Sequence, residues 1–171
     1  LVIAEHRDGK LSAATLELCR VAKDIAPALG LEPAAAVFAK DDALAKEVAN
    51  YIPSVLSVAD AAVAAYTADG YAQAVKAVVE SQDVKGVLIP HTYDGVDYAA
   101  KAAMAIGAGI VSNVNKVVAE GGKLVCTRNI YNGKLQETKS VTTDKFVISV
   151  EKGGENKMNE KSRKALNFMI A

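Results

Sequence analysis

Short apolar runs alternate with longer stretches in which apolar side chains return every third or fourth residue, and the alternation continues from Val2 to Ser112. A run of four to six apolar residues suits a strand, whereas a period of three to four lines one face of a helix. Strand followed by helix, repeated, predicts a parallel sheet, because each crossover returns the chain to the end of the sheet from which the next strand starts.

The first unit reads as a strand over Val2–Glu5, a turn at Asp8 and Gly9, and a helix capped by Ser12. That helix buries Leu18, Val21, Ala22, Ile25 and Leu29 and stops at Gly30. A second strand spans Ala34–Ala39, with Asp41 or Asp42 capping a helix through Ala45, Val48, Ala49 and Ile52 before Pro53. A third, Val55–Ala59, precedes a helix capped by Thr67 or Asp69 and carrying Tyr71, Val75, Val78 and Val79. Val87–Ile89 is the fourth strand, closed by Pro90, and Asp94 is the expected cap of an alanine-rich helix with Asp97 in its first turn. Gly109–Ser112 makes a fifth strand.

Beyond this point the period changes. Val114–Ala119, Leu124–Ile130, Leu135–Val141 and Phe146–Val150 are separated by Gly121-Gly122, Asn132-Gly133 and Thr143-Asp144. Paired turn residues between short strands describe hairpins, and Asn-Gly suits a type I′ turn, which needs positive φ at both central positions. The expected fold is therefore α/β: an open, mostly parallel sheet with helices on both faces, plus a C-terminal antiparallel β-meander. The domain is expected over residues 1–152, followed by a polar linker or docking tail over 153–171.

Length and charge narrow the function. A chain of 171 residues suits one domain. Equal numbers of acidic and basic residues, 20 of each, give no excess positive charge for neutralising phosphates, so no nucleic-acid partner is expected. The sequence holds no apolar run long enough to span a bilayer, so an integral membrane protein is not expected. Cys19 and Cys126 lie far apart and outside any C-x-x-C spacing, which points to two reduced thiols rather than a zinc or redox site.

The search for chemistry yields weak candidates. The first strand–helix turn, Glu5-His6-Arg7-Asp8-Gly9-Lys10, holds one glycine where a dinucleotide site needs several, and there is no phosphate-binding loop motif. His6 and His91 both fall just beyond the carboxyl ends of predicted strands, where open α/β sheets bind ligands, but neither has the neighbours of a metal site. No serine stands in a nucleophile elbow. Neither catalytic nor metal-ligating residues are assigned.

Three stretches together resemble the N-terminal domain of the electron transfer flavoprotein α subunit: residues 1–17 (LVIAEHRDGKLSAATLE), 87–114 (VLIPHTYDGVDYAAKAAMAIGAGIVSNV) and 129–154 (NIYNGKLQETKSVTTDKFVISVEKGG). The resemblance implies a scaffold that pairs with a β subunit in an FAD-containing complex, shuttling electrons from acyl-CoA or other dehydrogenases to a quinone reductase or another acceptor. It implies that FAD is held mostly by a C-terminal domain absent from this chain, so none is expected here. It also implies an electron-carrier subunit rather than an enzyme, placed in the cytoplasm, or in the mitochondrial matrix of a eukaryote. Arg128, Asn129 and Tyr131 are the candidate partner interface, since Arg and Tyr favour interfaces. The architecture is also similar to the adenine-nucleotide α-hydrolase and universal stress class. On that reading a nucleotide would lie near Glu5, His6, Pro90, His91, Thr92 and Gly95, although Asp94 and Asp97 repel its charge.

Overall fold

The computed structural model describes residues 1–154. Strands β1 (Val2–Ala4), β2 (Ala34–Ala39), β3 (Ser54–Ala59) and β4 (Gly86–Pro90) alternate with helices α1 (Ala13–Ile25), α2 (Ala43–Val48), α3 (Ala61–Ala64) and α4 (Ala68–Ser81). After β4 come α5 (Tyr93–Ala105), β5 (Gly109–Glu120), β6 (Lys123–Ile130), β7 (Leu135–Val141) and β8 (Phe146–Val150). The eight strands form one sheet in the order β3-β2-β1-β4-β8-β5-β6-β7. A small antiparallel ribbon, His6–Arg7 against Lys10–Leu11, links β1 to α1.

Successive strand side chains point to opposite faces, and the two cores follow that alternation. Val2, Ala4, Val37, Leu88 and Ile148 join one core with Leu18, Val21 and Ile25 of α1 and Leu44 and Val48 of α2. Ile3, Phe38, Val87, Ile89 and Val147 join the other with Tyr71 and Val75 of α4 and Tyr98 and Ala102 of α5. The open, mostly parallel sheet with helices on both faces is as the pattern predicts.

Several boundaries differ from the sequence expectation. Helix α1 stops at Ile25, because Pro27 has no N–H to continue the ladder; Pro27–Leu29 form a single 3-10 turn that ends at left-handed Gly30. The second helix ends at Val48, short of Ile52. Asp42 holds the cap position of α2 without a capping hydrogen bond, and it is Asp41 Oδ1 that accepts from Ala43 N, at 2.9 Å. Thr67 rather than Asp69 caps α4, accepting from Gly70 N. The cap of α5 is Thr92, not Asp94, which lies two residues further in, within the first turn.

The largest correction concerns Phe146–Val150. It is not the last strand of the meander; β8 inserts between β4 and β5 and runs parallel to both. Four of its five residues are buried, the continuous apolar run of a strand covered on both faces rather than the alternation of a half-solvated one. Gly109–Ser112 and Val114–Ala119 are likewise one strand, β5, whose first half pairs in parallel with β8 and whose second half pairs antiparallel with β6.

Chain length explains how β7 at the sheet edge reaches β8 at its middle. Val141 is aligned through Leu124 with Ala119, while Phe146 is aligned with Gly109. A straight strand would separate those two levels by about 33 Å, yet the link from Val141 to Phe146 spans at most about 18 Å. Strand β5 must therefore fold back on itself. It does so where Asn113 takes a positive φ of 58° and the register shifts between Val114 and Lys116, since a bulge bends its strand. The three-stranded meander thus lies over α1, and Val117, Leu124 and Cys126 enter the same core as Leu18 and Ile25. The reading of 153–171 as a linker or docking tail falls, beyond Gly154, outside the described residues.

Candidate functional site

The carboxyl ends of β1 and β4 are adjacent in the sheet, and this is the crevice where the sequence places a ligand. Glu5 follows β1. Its backbone N–H donates to Thr15 Oγ1 at 2.8 Å, and the Thr15 hydroxyl donates back to the Glu5 carbonyl at 2.9 Å. Buried Thr15 thus spends its hydroxyl on fixing the strand end. The Glu5 carboxylate in turn accepts a hydrogen bond from the Thr92 hydroxyl, whose oxygen also caps α5 by accepting from Gly95 N at 3.1 Å. Gly95 is required there because a Cβ would fall inside the Pro90 carbonyl oxygen. Pro90, Thr92, Gly95 and Glu5 therefore form one tight junction between β1, β4 and α5.

A free helix N-terminus attracts anions through its unpaired N–H groups. Here the cap and a carboxylate take that place. Two further carboxylates stand on the same turn of α5. Tyr66 donates to Asp97 Oδ2 at 2.9 Å and reaches the Asp94 carbonyl at 3.0 Å. Burial raises the phenol pKa values of Tyr66, Tyr71 and Tyr98, and nearby Asp94 adds to the effect in each. Tyr71 packs edge to face on Phe38, with centroids 5.2 Å apart, and on the rings of Tyr66 and Tyr98. The result is a filled, acidic, aromatic-walled junction. A nucleotide or flavin pyrophosphate placed at this junction would meet the carboxylates of Glu5, Asp94 and Asp97, while Lys101 near Asp97 is already paired with Asp69, so the junction residues do not fit one.

The two histidines diverge. His6 Nε2 donates to the Phe38 carbonyl at 2.7 Å and braces the small ribbon against β2. His91 turns to the other side: its backbone N–H donates to Val150 O, and its Nδ1 meets Ser149 Oγ at 2.9 Å. The Ser149 oxygen also accepts from Asn113 N at 3.1 Å, so one hydroxyl joins His91 to β5. Burial depresses the His91 pKa, against a weaker opposing pull from Glu151. Both histidines hold loops to strands, and among the described residues no group of His, Cys, Asp and Glu could hold a metal ion. Ser149 escaped the sequence reading; a lone polar residue inside the buried run FVISV was the available signal.

The candidate interface residues separate into engaged and exposed. Arg128 Nε donates to Glu137 Oε2 at 2.6 Å across the β6–β7 pair, and its Nη1 reaches Ser112 O at 3.4 Å. It ties the meander to β5. Asn129 is exposed opposite Gln136. Tyr131 stands at the hairpin tip, 73% exposed, beside Leu135 at 56%. Tyr131, Asn132 and Gly133 all have positive φ (50°, 55° and 80°), so the type I′ geometry expected at Asn132-Gly133 is present and extends one residue earlier. A cavity of about 330 Å³ lies at the opposite, amino end of the strands, lined by Leu1, Leu29, Pro33, Leu56, Val84 and Phe146 among others. Its charged neighbours Asp83 and Lys85 pair with each other at 2.9 Å. Among the described residues no helix is long and apolar enough to cross a membrane.

Fold and junction together define a class: an open α/β domain whose strand-end crevice is closed by its own side chains, with a meander folded over one helix layer. The model of the family described as Electron transfer flavoprotein domain matches residues 1–166. Similar relatives include the electron transfer flavoprotein subunit alpha of Bacillus subtilis, 30% identical over 162 residues covering 94% of this chain and 49% of the relative. That of Syntrophomonas wolfei is 36% identical over 135 residues, 78% of this chain and 41% of the relative. Protein FixB of Clostridium saccharobutylicum is 26% identical over 140 residues, 80% and 42% respectively. The chain belongs to the electron transfer flavoprotein family and corresponds to the N-terminal part of the alpha subunit. It spans about half the length of the curated relatives it matches.

Proposed function

We propose that this domain is the scaffold of an electron transfer flavoprotein alpha subunit, pairing with a beta subunit in a complex that carries electrons on FAD from dehydrogenases to a quinone reductase or another acceptor. The observation that carries this reading is the closed junction at Glu5, Thr92 and Gly95. A fold that elsewhere binds ligands at this crevice has spent it on internal bonds, so its contribution is geometric. FAD is then held outside this chain, and the flavin supplies the redox chemistry. Tyr131 and Leu135 at the meander tip supply apolar area for the beta subunit, with Asn129 at the rim.

The test is reconstitution of the full alpha subunit with its beta partner. Tyr131→Ala is expected to weaken the pair by about 1–2 kcal/mol, or roughly 5- to 30-fold, as for an interface anchor, while leaving the melting curve of the domain unchanged. Undiminished pairing removes the tip from the interface. Calorimetry with AMP, ATP and FAD on the 171-residue chain addresses the crevice directly: no binding is expected, and micromolar affinity for an adenine nucleotide would establish the nucleotide-binding module instead.

A further inference from the structure

Helix α5 buries Tyr98, Ala99, Ala102 and Ala103 against the sheet, and its opposite face is also apolar. Tyr93 is 98% exposed, Met104 84% and Val96 52%, with exposed Ala100 between them. At 100° per residue these four fall within about 80° of arc and run about 16 Å along the helix. Singly exposed apolar side chains are ordinary on a protein surface. A continuous stripe on a helix that already has its buried face is not required by the fold.

The charges beside the stripe indicate what covers it. Asp97 and Lys101 lie on the same flank. Lys101 reaches Asp69 of α4 at 2.7 Å, and Asp97 accepts from Tyr66. Let a second copy of α5 lie antiparallel on the first, related by a two-fold axis crossing near residues 98–99. Tyr93 then meets Met104 of the second copy, a favourable sulfur–aromatic pair. Val96 meets its Ala100, whose small side chain lets the helices approach closely. A perpendicular two-fold axis keeps each flank facing its own equivalent, so Asp97 meets Lys101 of the second copy, and Lys101 its Asp97. Apolar and charged positions are palindromic about the same point, as an isologous contact requires.

We propose that α5 is a self-docking face through which two copies of this chain pair antiparallel, independently of the meander tip assigned above to the beta subunit. One helix face buries less than the area of standard interfaces, about 1,200 Å² and above, so the pairing is weak and concentration-dependent.

Sedimentation velocity on the 171-residue chain, from about 1 to about 200 µM, is expected to show a monomer–dimer equilibrium in the micromolar range. Val96→Glu and Met104→Glu, both at exposed positions, are expected to leave a monomer throughout with an unchanged circular dichroism melt. Asp97→Lys and Lys101→Asp, each alone, are expected to weaken the dimer at least fivefold. The two together are expected to restore it to within about threefold, because the reversed pair again attracts across the axis. A monomer at every concentration overturns the proposal, as does a dimer indifferent to Val96→Glu and Met104→Glu. Failure of the combined charge reversal to restore pairing overturns the antiparallel register. A beta subunit that dissociates the dimer and loses its own binding to the Val96→Glu chain also overturns it, and assigns the stripe to that partner.

Discussion

Replacing Gly95 with alanine sets two effects of opposite sign against each other. Alanine is the better helix former by about 1 kcal/mol, so propensity alone predicts stabilisation. The added Cβ, however, would overlap the Pro90 carbonyl oxygen and stand 3.1 Å from the Pro90 carbonyl carbon and 3.2 Å from Ile89 Cγ2. Two of these are backbone atoms of the strand end and cannot swing aside, so the N-terminus of α5 must move away from β4. That movement stretches the Thr92 cap on Gly95 N and the Thr92–Glu5 bond. Overpacking costs about 1–3 kcal/mol and a lost cap about 1 kcal/mol, so after the propensity gain the net loss is about 1–3 kcal/mol. With a urea slope of about 2 kcal/mol/M, the midpoint falls by about 0.5–1.5 M, and the melting temperature by about 2–12 °C. Equilibrium urea unfolding followed by circular dichroism measures the difference. A midpoint equal to that of the parent chain, or above it, would refute the close approach of α5 to β4.

Other outcomes follow from the same geometry. Thr92→Ala removes both the cap and the donor to Glu5, and is expected to cost about 2 kcal/mol in urea unfolding, whereas Thr92→Ser keeps the hydroxyl and recovers most of it; equal losses in both would show that the hydroxyl is idle. For His91 the folded pKa lies below the ordinary 6.5, with burial the main cause. Its contribution to stability is therefore complete above about pH 6.5 and is lost as pH falls through the folded value. Urea midpoints across that window should fall more steeply for the parent than for His91→Gln, and a nuclear magnetic resonance titration of the ring at or above 6.5 would contradict the argument. Burial pushes the thiols of Cys19 and Cys126 up to about 11, so neither is expected to react with a disulfide reagent at neutral pH until the protein unfolds. Rapid labelling of the native chain would place a thiolate at the surface.

Most of the fold was legible because local and global preferences agree along the first half of the chain. Ala34–Ala39 is buried at five of six positions and reads as a strand in any context. The stripe Leu18, Val21, Ala22 and Ile25 has a single helical reading, and Ser12 and Thr67 cap their helices as their hydroxyls predict. The strand-end location of the junction was equally visible, since Glu5 and Thr92 follow apolar runs that end in turns. What escaped was the state of the junction. No spacing rule connects Glu5 to Thr92 across 87 residues, and Thr15 shares its hydrogen bonds with Glu5 only because β1 and α1 pack together.

The alternation of strand and helix patterns was therefore determined by sequence alone, because side-chain period is a local property of the backbone. Long-range placement was decided by tertiary structure. Phe146–Val150 carries the same apolar run whether it closes a meander or enters a parallel sheet, and only the folding back of β5 at Asn113–Lys116 brings its short link within reach of the centre. The same holds for α5: its alanines announce a helix, but which apolar face meets the sheet and which faces water follows from packing against β4 and β8.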